Sequence, residues 1–255
     1  MAVVTQLEIC LEDVAGAVIA EEAGADRVEL CSALSEGGVT PSVGAVRRVL
    51  ASTSRIGVQV LIRPRGGDFV FSPEELETMI EDVRQLAISP RIGFVVGVLT
   101  PDGQIDVTTT ERLLDVCGDA PVTFHRAFDA CADRPRALET LIGLGVHRVL
   151  TSGGAATALE SAPALKALVE QSAGRIGILA GGGVRPANVA ELVRLTGVPE
   201  VHCRATETVP SNSVFSNPAL AYDSGTREVT SKTAITALRH ALTPNFPRDH
   251  GEVSP

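Results

Sequence analysis

Two short stretches pair a carboxylate with a thiol at the same spacing. Leu7-Glu8-Ile9-Cys10 and Val28-Glu29-Leu30-Cys31 each alternate apolar and reactive residues. Alternate residues of an extended chain share a face, so Glu8 points with Cys10 and Glu29 with Cys31. Thiolates and imidazoles select soft ions such as Cu(I). Cys10 and Cys31 therefore form a candidate metal pair, with His202 or Cys203 as third ligands. The plainer alternative is two buried thiols that hold nothing. The carboxylates also have two readings. Buried charges persist only when paired, so Glu8 suits an internal Glu–Arg–His network as well as a site. Glu29, nearer the strand end, is a candidate acid–base residue.

A second set of residues has the chemistry of anion binding. Arg63-Pro64-Arg65-Gly66-Gly67-Asp68 places two guanidinium groups around a rigid proline, then permissive backbone and a carboxylate. Arg63 and Arg65 would clamp an anion, with Asp68 as a candidate acid or base. His125-Arg126-Ala127-Phe128-Asp129 adds an imidazole fit to act as general base, hydrogen-bond donor or metal ligand. Arg126 would serve as an anion contact, and Asp129 as a further acid–base candidate. Thr151-Ser152-Gly153-Gly154 and Gly181-Gly182-Gly183 offer bare backbone N–H groups of the kind that cradle anions, with Ser152, Gly153, Gly182 and Gly183 as contacts. His202, close to the last of these, joins the anion-binding set.

All these residues fall at the ends of β-branched runs. Strands are expected near Gln6–Cys10, Arg27–Cys31, Gly57–Arg63, Gly93–Leu99, Val122–Arg126, Arg148–Thr151, Ile176–Gly181 and Glu200–Cys203. Amphipathic helices are expected between them, over Asp13–Ala23, Pro41–Ala51, Pro73–Leu86, Thr109–Cys117, Pro135–Leu144, Ala162–Gln171, Pro186–Leu195 and Lys232–Leu242. Ser72-Pro73-Glu74-Glu75 reads as a helix start, and Gly24, Gly145 and Gly197 as helix stops. Each strand–helix pair occupies about 30 residues, the size of one βα step. Eight such steps predict a single-domain α/β fold, a TIM-like (β/α)8 barrel over residues 1–242, with a frayed tail over 243–255. A doubly wound sheet would place a glycine-rich loop after its first strand. Cys10-Leu11-Glu12-Asp13 stands there instead, and no nucleotide cofactor is expected. Strand parity then turns Gln59, Leu61, Arg63, Thr123, His125, Glu200 and His202 into the barrel. Arg204–Thr230 breaks the rhythm and reads as an active-site loop or lid.

Composition bounds the partners. The 255 residues carry a net charge of −9 and 3% aromatics, which excludes the basic surface and stacking platforms of a nucleic-acid binder. No apolar run is long enough to cross a membrane. The N-terminus lacks the basic stretch of an export signal, and the five cysteines are scattered. A cytoplasmic protein with reduced thiols is expected.

The quoted motifs occur together in one family. With Glu36-Gly37-Gly38-Val39-Thr40-Pro41-Ser42 and Val201-His202-Cys203, the chain resembles the CutC family of copper homeostasis proteins over about residues 5 to 205. The resemblance implies a TIM-like barrel, a cytoplasmic location, a homo-oligomer (dimer or tetramer) and a role in copper handling. The family's copper-binding cysteines fall on Cys10 and Cys31. The crowd of arginines and histidines at one mouth supports a second expectation. It is an enzyme or binder acting on a small anionic metabolite, phosphorylated ones included.

Overall fold

The computed structural model describes residues 5–215, 217, 219 and 225–243. Eight parallel strands close into a barrel in chain order. They are β1 (Gln6–Leu11), β2 (Arg27–Leu30), β3 (Gly57–Leu61), β4 (Ile92–Val96), β5 (Val122–Phe124), β6 (Arg148–Thr151), β7 (Gly177–Gly181) and β8 (Glu200–Cys203). Helices α1 (Val14–Glu22), α2 (Val43–Ser52), α3 (Pro73–Leu86), α4 (Val107–Cys117), α5 (Arg134–Gly143), α6 (Ala162–Ser172) and α7 (Val189–Thr196) follow β1 to β7 in turn, and α8 (Lys232–Leu242) completes the ring. The expected (β/α)8 barrel is the fold observed. The expected tail lies, apart from Thr243, outside the described residues.

Local chemistry sets the helix starts. Asp13, Ser42, Asp106, Asp133 and Ser231 each accept a hydrogen bond from a backbone N–H in the first turn. Ser72 and Glu75 cap α3 reciprocally, with Pro73 in its first turn. Two helices expected to begin at a proline begin later, α2 at Val43 beyond Pro41 and α7 at Val189 beyond Pro186. Pro186 precedes α7, because the Asn188 side chain closes a turn there, accepting from Arg185 N at 2.8 Å and donating to Gly183 O at 2.9 Å.

One core lies between the barrel wall and the helices. The outward residues Leu7, Ile9, Val28, Leu30, Val58, Val60, Phe94, Val96, Phe124 and Val201 are buried there. Four strands, β2 to β5, end earlier than alternation predicts. At β3, Arg63 leaves the ladder because its backbone pairs with Thr40, and Pro64 has no N–H to continue. Beyond β4 and β5 the alternation persists, because His125 N still donates to Val96 O at 2.8 Å. His125 therefore keeps its inward orientation.

The segment expected as an active-site loop or lid contains a two-stranded antiparallel ribbon, β9 (Thr206–Pro210) and β10 (Thr226–Thr230). Thr230 packs so closely on α1 that a Cβ at Gly16 would overlap its hydroxyl. Ser231 Oγ donates to Glu207 at 2.9 Å.

The lower barrel interior is ionic. Arg27 Nε donates to Glu8 at 2.5 Å, Arg27 Nη1 to Gln6 at 2.7 Å, and Arg27 also pairs with Glu200. Arg148 lies 3.2 Å from Glu200. Inward glycines make room for these long side chains. A Cβ at Gly93 would overlap Gln59, and one at Gly97 would overlap the His125 ring.

Candidate functional site at the barrel mouth

At the C-terminal ends of the strands lies a cavity of about 330 Å³. Its lining divides into two chemically different walls. Cys10, Cys31, Glu29 and His202 form one, from β1, β2 and β8. Arg63, Phe69, His125 and Arg126 form the other, from the ends of β3 and β5. Leu34, Leu61 and Leu150 supply apolar surface between them.

The thiol wall depends on barrel stagger. The register sets Cys10 against Glu29 and Glu8 against Arg27. The cysteines therefore meet diagonally, and their Sγ atoms still approach to 3.9 Å. Both residues are buried. The neighbouring Cys31 thiol, with His202 and Glu29 beside it, outweighs burial and brings Cys10 down to about 5. The same contact pushes Cys31 well up, and burial adds to it. Burial and the neighbouring Cys10 sulfur hold Glu29 protonated well above the usual carboxylate range. Burial opposes a charge on His202, but Cys10 and Glu8 raise it well above 6.5. Its Nδ1 lies 2.7 Å from Glu8 Oε1 and its Nε2 3.5 Å from Glu29. Burial would lift Glu8 too, yet Arg27 and His202 hold it at about 2. Ligand atoms of Cys10, Glu29 and Cys31 lie within 4.8 Å of one another, as do those of Glu8, Glu29 and His202. Cys203, the other suggested third ligand, points outward into the core and contacts Glu8 O through its sulfur.

The second wall holds donors with nothing to donate to. Arg63 is 5% exposed. Its Nη1 reaches Gly38 O at 2.9 Å and its Nη2 reaches Gly67 O at 2.7 Å, while Nε has no partner. No carboxylate of the described residues lies within 4.0 Å of this cation. His125 accepts at Nδ1 from Ala127 N, so its proton sits on Nε2, which is also buried and unpartnered. Burial, reinforced by Arg63, lowers His125 to about 3 and keeps the ring neutral. The Phe69 ring lies against both, 5.0 Å from each.

Other expected contacts lie elsewhere. Arg65 turns away from the cavity to Glu75 at 2.6 Å and Asp68 at 3.1 Å, and Asp68 is exposed. Asp129 fills the cradle after β6. It accepts from Ser152 N at 3.1 Å, Gly154 N at 3.2 Å, Thr151 Oγ1 at 2.5 Å and Arg126 Nε at 2.8 Å. Gly153 N donates to Thr151 Oγ1. Gly182 and Gly183 adopt positive φ and pack on the β6 loop, where Ala158 N donates to Gly182 O. None of Ser152, Gly153, Gly182 and Gly183 lines the cavity. Arg204 does line it, 3.7 Å from Glu12. Sequence reasoning did not single out Arg27, Arg148 or Phe69. Arg27 shares the parity of Glu29 and Cys31, a signal sufficient to place it inside.

The model of a family described as CutC matches residues 5–207. A human protein named copper homeostasis protein cutC homolog is 47% identical over 84% of this chain and 78% of its own length. A Porphyromonas gingivalis protein named family protein CutC is 47% identical over 84% of this chain and 86% of its own. The crystal structure of a Streptococcus agalactiae CutC protein superimposes with a TM-score of 0.74 at 35% identity, over 78% of this chain and 97% of that one. Phosphoribosyl anthranilate isomerase from Thermotoga maritima shares the barrel alone, at 12% identity and a TM-score of 0.57 over 93% of this chain and 98% of its own.

Proposed function

The chain belongs to the CutC family of copper homeostasis proteins, and on that footing we propose that it takes up Cu(I) through the sulfurs of Cys10 and Cys31. The observation that carries this reading is the 3.9 Å approach of two buried sulfurs in a cavity at the barrel mouth. One metal bound to two thiolates at about 2.3 Å each spans up to about 4.6 Å between them. The donor set fits the ion, since soft thiolates favour Cu(I) over harder metals. Charge fits as well. Cu(I) carries one positive charge and displaces one proton from Cys31, so the buried mouth gains no net charge. Glu29 stands next to both sulfurs, and His202 next to Cys10.

Such a site needs reduced thiols. We therefore place the protein in the cytoplasm, and as a homo-oligomer in line with its family resemblance. The test is a competition titration of the reduced protein against a chromophoric Cu(I) chelator. Wild type is expected to withdraw copper from the chelator, and the Cys10→Ser/Cys31→Ser double variant is not. Equal uptake by the two would remove the site.

A further inference from the structure

We propose that the opposite wall of the mouth binds a small organic monocarboxylate, held by the unpartnered N–H groups of Arg63 and His125. Arg63 and His125 both line the cavity, and each has a buried donor without an acceptor, Nε in one and Nε2 in the other. An unmet buried donor destabilises the fold, and an arriving acceptor recovers that loss. Arg63 also carries a buried positive charge with no carboxylate of the described residues within 4.0 Å. Buried charges persist when compensated, and this one calls for a single negative charge. His125 adds a hydrogen bond without adding charge.

The surroundings select among anions. A phosphate group needs several converging donors. Of the two turns that offer them, Ser152 to Gly154 is taken by Asp129, and neither Gly182 nor Gly183 lines the cavity. Two N–H groups match the two oxygens of a carboxylate, and Leu34, Leu61 and Leu150 would cover a short carbon chain. A cavity of about 330 Å³ lies at the small end of the range for ligand sites. Phe69 lies against both Arg63 and His125 and adds apolar surface beside them.

The test uses copper-free protein and so stands apart from the cysteine site. Protein labelled with 15N at histidine is titrated with acetate, butyrate and inorganic phosphate at constant ionic strength. The His125 Nε2 resonance is expected to shift saturably with both carboxylates. Butyrate should bind about tenfold tighter than acetate, because it buries two more methylenes. Phosphate should leave the resonance in place. Arg63→Lys removes Nε and is expected to weaken butyrate binding about tenfold or more. Where that variant fails to fold, the resonance in unaltered protein still decides. A resonance that does not move with butyrate, or that moves equally with phosphate, overturns the assignment. An unchanged butyrate affinity in folded Arg63→Lys does the same.

Discussion

Asp129 shows how a residue suited to chemistry becomes structural. Its carboxylate gathers the Ser152 and Gly154 N–H groups, the Thr151 hydroxyl and the Arg126 guanidinium, and its side chain is 12% exposed. Asp129→Ala strands several donors at once and is expected to cost about 3 kcal/mol, read as a lower urea midpoint. A loss below about 0.5 kcal/mol would mean that water replaces the carboxylate there. Strand parity alone places Glu8, Cys10, Glu29, Cys31, Arg63, His125 and His202 inside the barrel. It cannot foresee that Arg65 and Asp68 leave the cavity. The two pair with each other, and Arg65 also with Glu75, which belongs to the capping box of α3; only the folded loop brings it near. Nor does sequence order reveal the stagger that sets Cys10 beside Glu29.

At the scale of elements, the inward glycines of β4 and its extension decide what the neighbouring strands can carry. Gly97→Ala sets a Cβ onto the His125 ring. It is expected to destabilise the protein by about 1–3 kcal/mol through overpacking and to shift the His125 Nε2 resonance. A variant with unchanged stability and an unmoved resonance would show that the ring gives way freely. Strands and helices with an apolar face were legible, because burial imposes their period. The β9–β10 ribbon was not. Thr206-Glu207-Thr208-Val209-Pro210 has no continuous apolar face, and most of it is exposed. Its pairing rests on backbone hydrogen bonds and on the contact of Thr230 with α1, neither of which leaves a hydropathy signature.

For the whole molecule, buried titratable groups set how stability responds to pH. His125 falls from 6.5 to about 3 on folding, so its contribution is full above 6.5 and is lost as pH falls toward 3. Glu8 falls from 4.5 to about 2, so its share is full above 4.5 and is lost as pH falls toward 2. His202 rises on folding, so its share is present below 6.5 and is lost as pH climbs through its raised value. Stability should therefore peak near neutrality. Below 6.5, each pH unit should remove up to about 1.4 kcal/mol from His125 alone. Urea midpoints across this range check it. His125→Gln should flatten the slope between 6.5 and 4.5, and an unchanged slope would assign it to other groups.

The carboxylate of Asp129 also acts as a tethered competitor. Held by the fold beside Ser152 and Gly154, it faces those N–H groups at an effective concentration that no dissolved phosphate ester matches. A barrel of this shape would otherwise offer a phosphate hook beside its mouth. Here the hook is plugged from within, by a bond the chain makes to itself.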